Sequence, residues 1–374
     1  MNDNFTSQKF RFWSFVSMVL LVFVHGYNLN QRYLQPWTLP GEVLTLNTFT
    51  QYFLANGIFR FRIPMLFIIS GYLYATKDFE PYKKRIRKRV LTLLLPYLIW
   101  SALGILFTYS IELSDFGRNL VASSHIVQID NKRMLIHDYK WYELLLRWVF
   151  LPVPYQLWFV RVLFIYNISY PALRWCVLNK TARYIWFSMV ALLWLSNAGF
   201  ILFEGEGLLF FSLGIWLQKT NFNINSPGKM LPPILWGIIF IMLSVTKTII
   251  AFNGESLFGS YISPILLILH KLVIISGLIF SWYGLDRLVN LCMQLKWFEW
   301  MSSFSFIIYA IHTPLVAYAI NGVFKYVCVL PDFRLLTFIF LPLSVIALSI
   351  GIGVILRKWS NSFYGILTGG RGMN

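Results

Sequence analysis

Apolar runs about 20 residues long recur along almost the whole chain, and this recurrence constrains the fold more than any motif does. A helical membrane span needs about 20 mostly apolar residues, because an α-helix rises about 1.5 Å per residue through about 30 Å of hydrocarbon. Runs of this kind cover residues 12–28, 57–76, 90–110, 156–175, 184–203, 205–218, 231–251, 259–284, 301–323 and 335–356. The sixth is short and follows Glu204 and Glu206, which predicts an entry from the interface or a re-entrant segment. A shorter apolar piece at 144–151 is expected to lie along the interface. Only 13% of the residues are charged, about half the share of a soluble domain. The expectation is an all-α, polytopic membrane bundle of about ten helices forming a single domain over residues 1–374.

Charge sets the orientation. The segment 77–89, "KDFEPYKKRIRKR", holds seven basic residues against Asp78 and Glu80. Basic loops stay on the cytoplasmic side. Alternation then places both termini in the cytoplasm, and the other inner segments agree, with Arg174, Lys180 and Arg183, then Lys219 and Lys229, Arg287 and Lys296, and finally Arg357 and Lys358. The segments 29–56 and 111–142 become long outer loops. The formal net charge of +17 is thereby explained by topology, and no nucleic-acid partner is expected. Cys176, Cys292 and Cys328 lack the spacing of a zinc or redox site. No phosphate-binding glycine loop, HExxH or GxSxG elbow is present.

The ionisable residues inside these runs are the candidates for chemistry, since a charge at mid-bilayer costs about 2.5–3.5 kcal/mol on insertion scales. His25 lies near the outer end of the first run, and Arg60 and Arg62 open the second. A histidine serves as base or nucleophile near neutral pH. An arginine offers a planar fork of donors to a carboxylate, phosphate or oxyanion. Each also has a bland reading: the arginines snorkel to headgroups, and His25 bonds a carbonyl. Arg161, Lys247, His270, Lys271 and His312 lie deeper and are too many for snorkelling alone, so they are expected to line a polar cavity. Glu204 and Glu206 are the carboxylates available to pair with them. His125 and His137 belong to a polar outer loop and are expected to be solvated. The basic segment 77–89 either sets topology at an anionic lipid surface or binds a cytoplasmic polyanion, with Arg85 and Arg89 placed to do both.

Five segments in order carry a resemblance. They are "RIPMLFIISGYLY" with its Ser70-Gly71 pair, "RVLTLLLPYLIWS", "LWFVRVLFIYNISYPAL", "LLFFSLGIWLQK" and "SSFSFIIYAIHTPLV", preceded by the first-span His25. Together they resemble the acyltransferase 3 family, membrane acyltransferases that decorate bacterial glycans, over essentially the whole chain. The resemblance implies a ten-helix protein of the bacterial cytoplasmic membrane that moves an acyl group, usually acetyl, from cytoplasmic acyl-CoA. The acceptor would be a hydroxyl of a lipid-linked glycan or exopolysaccharide. His25 then corresponds to the essential family histidine, Arg62 or Arg60 to the arginine before Pro-x-x-Phe, and Arg89 to the arginine ahead of Pro-Tyr in the third span. Arg85 and Arg161 join Arg89 as donor-binding candidates, and Ser70 and His312 are acceptor-binding candidates. The chain departs from the family pattern in having Arg11 and Ser14 on the first helix, and Val162 after Arg161. No metal or permanently bound cofactor is expected; acetyl-CoA would be a substrate. The rival reading is an exporter or flippase of a lipid-linked glycan that transfers no acyl group.

Overall fold

The structure, a computed structural model, describes residues 3–31, 34–129, 133–199, 202–228, 231–326 and 331–373. Among them there is no strand beyond one isolated bridge between Gly199 and Glu204. Helix α1 runs Asp3–His25, α2 Leu46–Ala75, α3 Tyr82–Ile111, α4 Lys180–Leu195 and α5 Gly205–Lys219. They are followed by α6 at Pro233–Asn253, α7 at Glu255–Gly284, α8 at Ser305–Tyr326, α9 at Pro331–Trp359 and α10 at Asn361–Thr368.

Among the described residues six helices are long and apolar enough to cross a membrane, or seven if the pair Lys296–Ser302 and Ser305–Ile320, bent by 61°, is one span. The other apolar runs form shorter helices. Residues 156–175 break at Ser169 into Trp158–Ile168 and Tyr170–Leu178, where Pro171 follows the break. Helices α4 and α5, at 16 and 15 residues, rise about 24 and 22 Å, less than the hydrocarbon layer. Large apolar side chains point outward from the helices, among them Ile185, Leu192, Ile234, Met242 and Ile268. A soluble bundle would bury that face; lipid covers it at no penalty.

The second helix begins at Leu46, well before residue 57. Thr45 and Thr48 close a reciprocal capping box there. The polar residues that read as loop are instead buried and bonded: Gln51 Nε2 donates to Asn28 Oδ1 at 2.7 Å, and Asn56 Nδ2 to the Gln35 carbonyl at 3.2 Å. After Tyr52 the helix widens into a π turn at Phe53–Gly57 and tightens into a 3₁₀ turn at Ile58–Phe61 before resuming at Arg62. Helix α3 has a second π turn at Val90–Leu94, just before Pro96.

The chain divides into two compact units, residues 1–80 with 168–302 and residues 81–167 with 303–374. In the first, α2 packs along α5 at close range. A Cβ on Gly71 would lie 2.2 Å from the Phe211 carbonyl oxygen, and one on Gly214 2.2 Å from that of Ile68. These small residues let the two backbones touch, as in membrane helix pairs generally. Helices α6 and α7 pair through Gly237 against Phe280 and Gly277 against Phe240. Lys9, fully buried, holds Asp286 at 2.5 Å and lies over the Trp282 ring. Arg11 bonds Glu299 at 2.7 Å and Ser302 at 2.8 Å.

In the second unit α3 packs against the helix Trp141–Val149, with Trp148 Nε1 donating to the Leu98 carbonyl at 2.7 Å. Helix α8 pairs with α9, and α10 lies against α3. His125 and His137 are both exposed, as expected, while parts of the segment around them are buried. Buried Glu112 accepts from the Ile136 amide at 2.7 Å and pairs with His137 Nδ1 at 2.6 Å, beneath a cluster of Val121, Val127, Ile136, Tyr139, Val153 and Tyr318. His125 lies apart from that pair, with Nδ1 2.6 Å from Gln128.

Candidate active site

In each unit basic side chains stand where a helix ladder slips. A π turn or a proline removes a backbone bond and leaves a carbonyl to be satisfied from outside the ladder.

In the first unit the slip is at 53–61. Lys247 Nζ, from α6, donates to the Asn56 carbonyl at 2.7 Å and to His270 Nδ1 of α7 at 3.3 Å. Arg62 Nη1 turns back to the Phe59 carbonyl at 2.8 Å, and Arg60 Nη2 donates to the carbonyl of Leu34. Arg62, Lys247, His270 and Lys271 are all buried. Their counter-charge comes from the start of α5. Glu206 accepts from Trp194 Nε1 at 3.2 Å and lies within electrostatic reach of Lys271, Arg60 and Arg62. Lys271 Nζ sits 4.9 Å over the Trp194 ring and donates to Asn197 Oδ1 at 3.4 Å. Glu204 lies within electrostatic reach of Glu206 and Lys271. The structure thus brings together Arg60, Arg62, Lys247, His270, Lys271 and both glutamates.

His25 closes α1 at the same end of this unit. Phe23 packs edge-on to Phe59 at 6.3 Å, the Asn28 amide donates to Gln51 at 2.8 Å, and Tyr27 lies within electrostatic reach of Arg60. His25 therefore ends α1 where the chain turns toward the arginine-bearing slip. Ser70 is half-buried on α2. The neighbouring Gly71 has a packing reason of its own, the crossing with α5.

In the second unit Arg161, His312, Arg85 and Arg89 occupy a different setting. Tyr97 shares a hydrogen bond with Arg161 and donates its hydroxyl to the Val149 carbonyl at 2.8 Å. Pro314 has no N–H for the Ala310 carbonyl, and Gln156 Nε2 supplies it at 3.0 Å. His312 faces the Ile308 and Tyr309 carbonyls through Nδ1 at 3.1 and 2.9 Å, and Thr313 Oγ1 lies 3.0 Å from Nε2. Both ring nitrogens are engaged within the histidine's own helix. Pro96 likewise leaves the Thr92 carbonyl without its helical donor, and Arg371 Nη1 donates to it at 2.9 Å. Nothing in the sequence pattern singled out Arg371, because it lies outside every apolar run. The available signals were the proline four residues after Thr92 and the glycines around Arg371.

Among the described residues no group of three or more His, Cys, Asp or Glu is placed to hold a metal ion, and Cys328 lies outside them. Buried cations facing carboxylates at the end of a membrane helix, with a histidine at the same end, form an arrangement able to hold an anion and move a proton. The acyltransferase domain family, acyltransferase 3, matches residues 10–358, so the chain belongs to that family. It is similar to the succinoglycan biosynthesis protein ExoH of Rhizobium meliloti (strain 1021), 26% identical over 267 residues that cover 71% of this chain and 67% of that protein. No solved structure matches the chain.

Proposed function

We propose that this protein is a multi-pass O-acyltransferase of a bacterial cytoplasmic membrane that moves an acyl group, acetyl in the first instance, from cytoplasmic acyl-CoA to a hydroxyl of a surface or lipid-linked glycan. In this reading the chain crosses the membrane ten times as a single acyltransferase domain, with both termini inside. The shorter helices are spans completed by their flanking turns. The name of the relative supports a glycan acceptor, and the basic helix Tyr82–Arg89 supports an anionic donor on the cytoplasmic side.

The observation that carries the reading is that buried Arg62 and half-buried Arg60 share one ionic cluster at the end of the unit where α1 delivers His25. His25 takes the proton of the acceptor hydroxyl, whose oxygen attacks the thioester carbonyl. Arg62 or Arg60 holds the oxyanion that forms. The carbon–sulfur bond then breaks, and the thiolate leaves with the proton from His25. In the covalent variant His25 attacks first and carries the acyl group to the acceptor. Ser70 contributes to acceptor binding. Arg85, Arg89 and Arg161 bind the donor. His312 fixes the backbone around Pro314.

The test is purified protein with labelled acetyl-CoA and glycan acceptor. An alkali-labile ester on the glycan, with one free thiol released per ester, is expected. Movement of unmodified glycan across vesicles without thiol release would overturn the proposal in favour of export.

A further inference from the structure

The first unit holds an apolar cavity of about 360 Å³ that starts one helical turn from the ionic cluster on three helices at once. Met65 follows Arg62 on α2, Leu209 follows Glu206 on α5, and Ile275 follows Lys271 on α7; all three followers line the cavity. Spacings of three and four residues keep each pair on one helix face. Trp194 joins the two regions. It lines the cavity, its Nε1 donates to Glu206 at 3.2 Å, and Lys271 Nζ lies 4.9 Å over its ring.

From Met65 the cavity follows α2 to Tyr72, about 10 Å of helix. Its far end is a fixed wall. Phe10 packs on Tyr72 at 5.3 Å and on Trp282 at 5.7 Å, and Trp282 Nε1 donates to the Ile224 carbonyl at 2.7 Å. The side is open. Ile275 lines the cavity and is also exposed, and Ile68 and Leu213 are only half-buried. Helix α5 packs on α2 and α4 whereas α7 packs on α6, so the opening lies between α5 and α7 and faces lipid.

Shape and lining select the occupant. The side chains are apolar or aromatic, and both indole N–H groups are engaged, so a sugar or phosphate placed here would lose its hydrogen bonds. The volume is more than twice the ~150 Å³ of an apolar cavity that admits benzene. An elongated slot of that size suits a hydrocarbon chain. A substrate whose reacting hydroxyl is carried on such a chain meets both halves of the arrangement, its chain in the slot and its polar head at the cluster.

We propose that this cavity binds the hydrocarbon chain of a lipid-linked acceptor and thereby sets the acceptor's polar head beside Arg62, Glu206 and Lys271. The inference rests on the acyl-transfer reading above and selects, within it, an acceptor still attached to its lipid over a chain-free glycan. A membrane phospholipid offers a similar chain, so the experiment separates the two.

Full-length protein in phosphatidylcholine nanodiscs is given labelled acetyl-CoA and two acceptors: lipid-linked glycan extracted from the native membranes, and the same glycan released from its lipid by mild acid. Partition into the disc favours the first acceptor in any variant, so the diagnostic quantity is how the ratio of the two kcat/KM values changes. Leu213→Trp, which fills the slot, is expected to lower that ratio about tenfold. An unchanged ratio overturns the inference while the acyl-transfer reading stands; no ester on either acceptor with the parent defeats that reading itself. In a second arm, phosphatidylcholine with a photoreactive diazirine at the end of one chain labels the protein. Labelling of residues 278–283 is expected to fall when lipid-linked glycan is added. Labelling that the glycan leaves unchanged assigns the cavity to a structural lipid and overturns the inference too. Should Leu213→Trp fail to fold, the smaller plug Leu213→Phe decides between the same outcomes.

Discussion

The two arginine groups share an origin and differ in how their charge is met. Both stand at π turns close to a proline, Phe53–Gly57 before Pro64 and Val90–Leu94 before Pro96. In both, a basic side chain takes up a carbonyl near the slip, Asn56 by Lys247 and Thr92 by Arg371. The first group then meets Glu206 and Glu204, whereas the second has no carboxylate in its sequence neighbourhood. A cluster that must persist inside lipid carries its own counter-charge, because unpaired charges there are strongly penalised. The second group is met by backbone carbonyls, Thr92 and Thr368 accepting from Arg371.

The sharpest way to break this comparison is to strip the first group of its proposed chemistry. His25→Ala should lower turnover about 10³–10⁴-fold, and Arg62→Ala about 10²–10³-fold, at equal membrane abundance. Acyl transfer by Arg62→Ala within a few-fold of the parent would reduce that arginine to a structural role. Removing the counter-charge is the next test. Glu206→Gln keeps an acceptor for Trp194 but leaves Arg60, Arg62 and Lys271 less compensated, so it should destabilise the protein by about 3 kcal/mol. Detergent melting of the purified variant checks this, and an unchanged melting temperature would mean that water already neutralises the cluster.

A comparable loss is expected from the α2–α5 crossing. Gly71→Ala places a Cβ against the Phe211 carbonyl and should cost about 1–3 kcal/mol through overpacking. Partial recovery of activity at low temperature would separate that packing defect from a chemical one.

The smallest effect concerns Asp78, outside the spans, which pairs with Lys219 at 2.5 Å and Arg174 at 2.9 Å. Burial opposes its ionised form, but the Lys219, Tyr170 and Arg174 hydrogen bonds outweigh it and hold the carboxyl below its usual range. Because the folded value is the lower one, the stabilisation is complete above the ordinary carboxylate range, about pH 4, and fades as pH falls through the folded value. With half of Arg174 in solvent, Asp78→Asn should cost only about 0.5–1 kcal/mol at neutral pH. Its melting curve should converge with that of the parent in acid; a constant gap down to low pH would remove the charge from the explanation.

Much of this was readable without coordinates. A run of 20 apolar residues has few fates other than a buried or membrane helix, so the all-helical, membrane-facing architecture followed from composition and spacing. The charge of Lys77–Arg89, and the positions of Arg60 and Arg62 at the start of one apolar run and of Lys247, His270 and Lys271 inside others, were visible for the same reason. The start of the second helix was not. Gln51 and Asn56 read as loop residues until their partners Asn28 and Gln35 are known.

What the chain determined by itself was local. Helical period fixes which residues share a face, prolines fix which carbonyls lose their donors, and the absence of acids around Arg89 is a plain fact of composition. Which deep cations meet was decided only by tertiary packing. Gly71 and Gly214 let α2 and α5 touch and bring Glu206 within reach of Arg62, while Arg161 and His312 fall in the other unit. Arg371 meets the Thr92 carbonyl only because two left-handed glycines fold its segment onto α3. Contacts between segments far apart in the chain depend on shape complementarity between surfaces, and no periodicity within either segment records that.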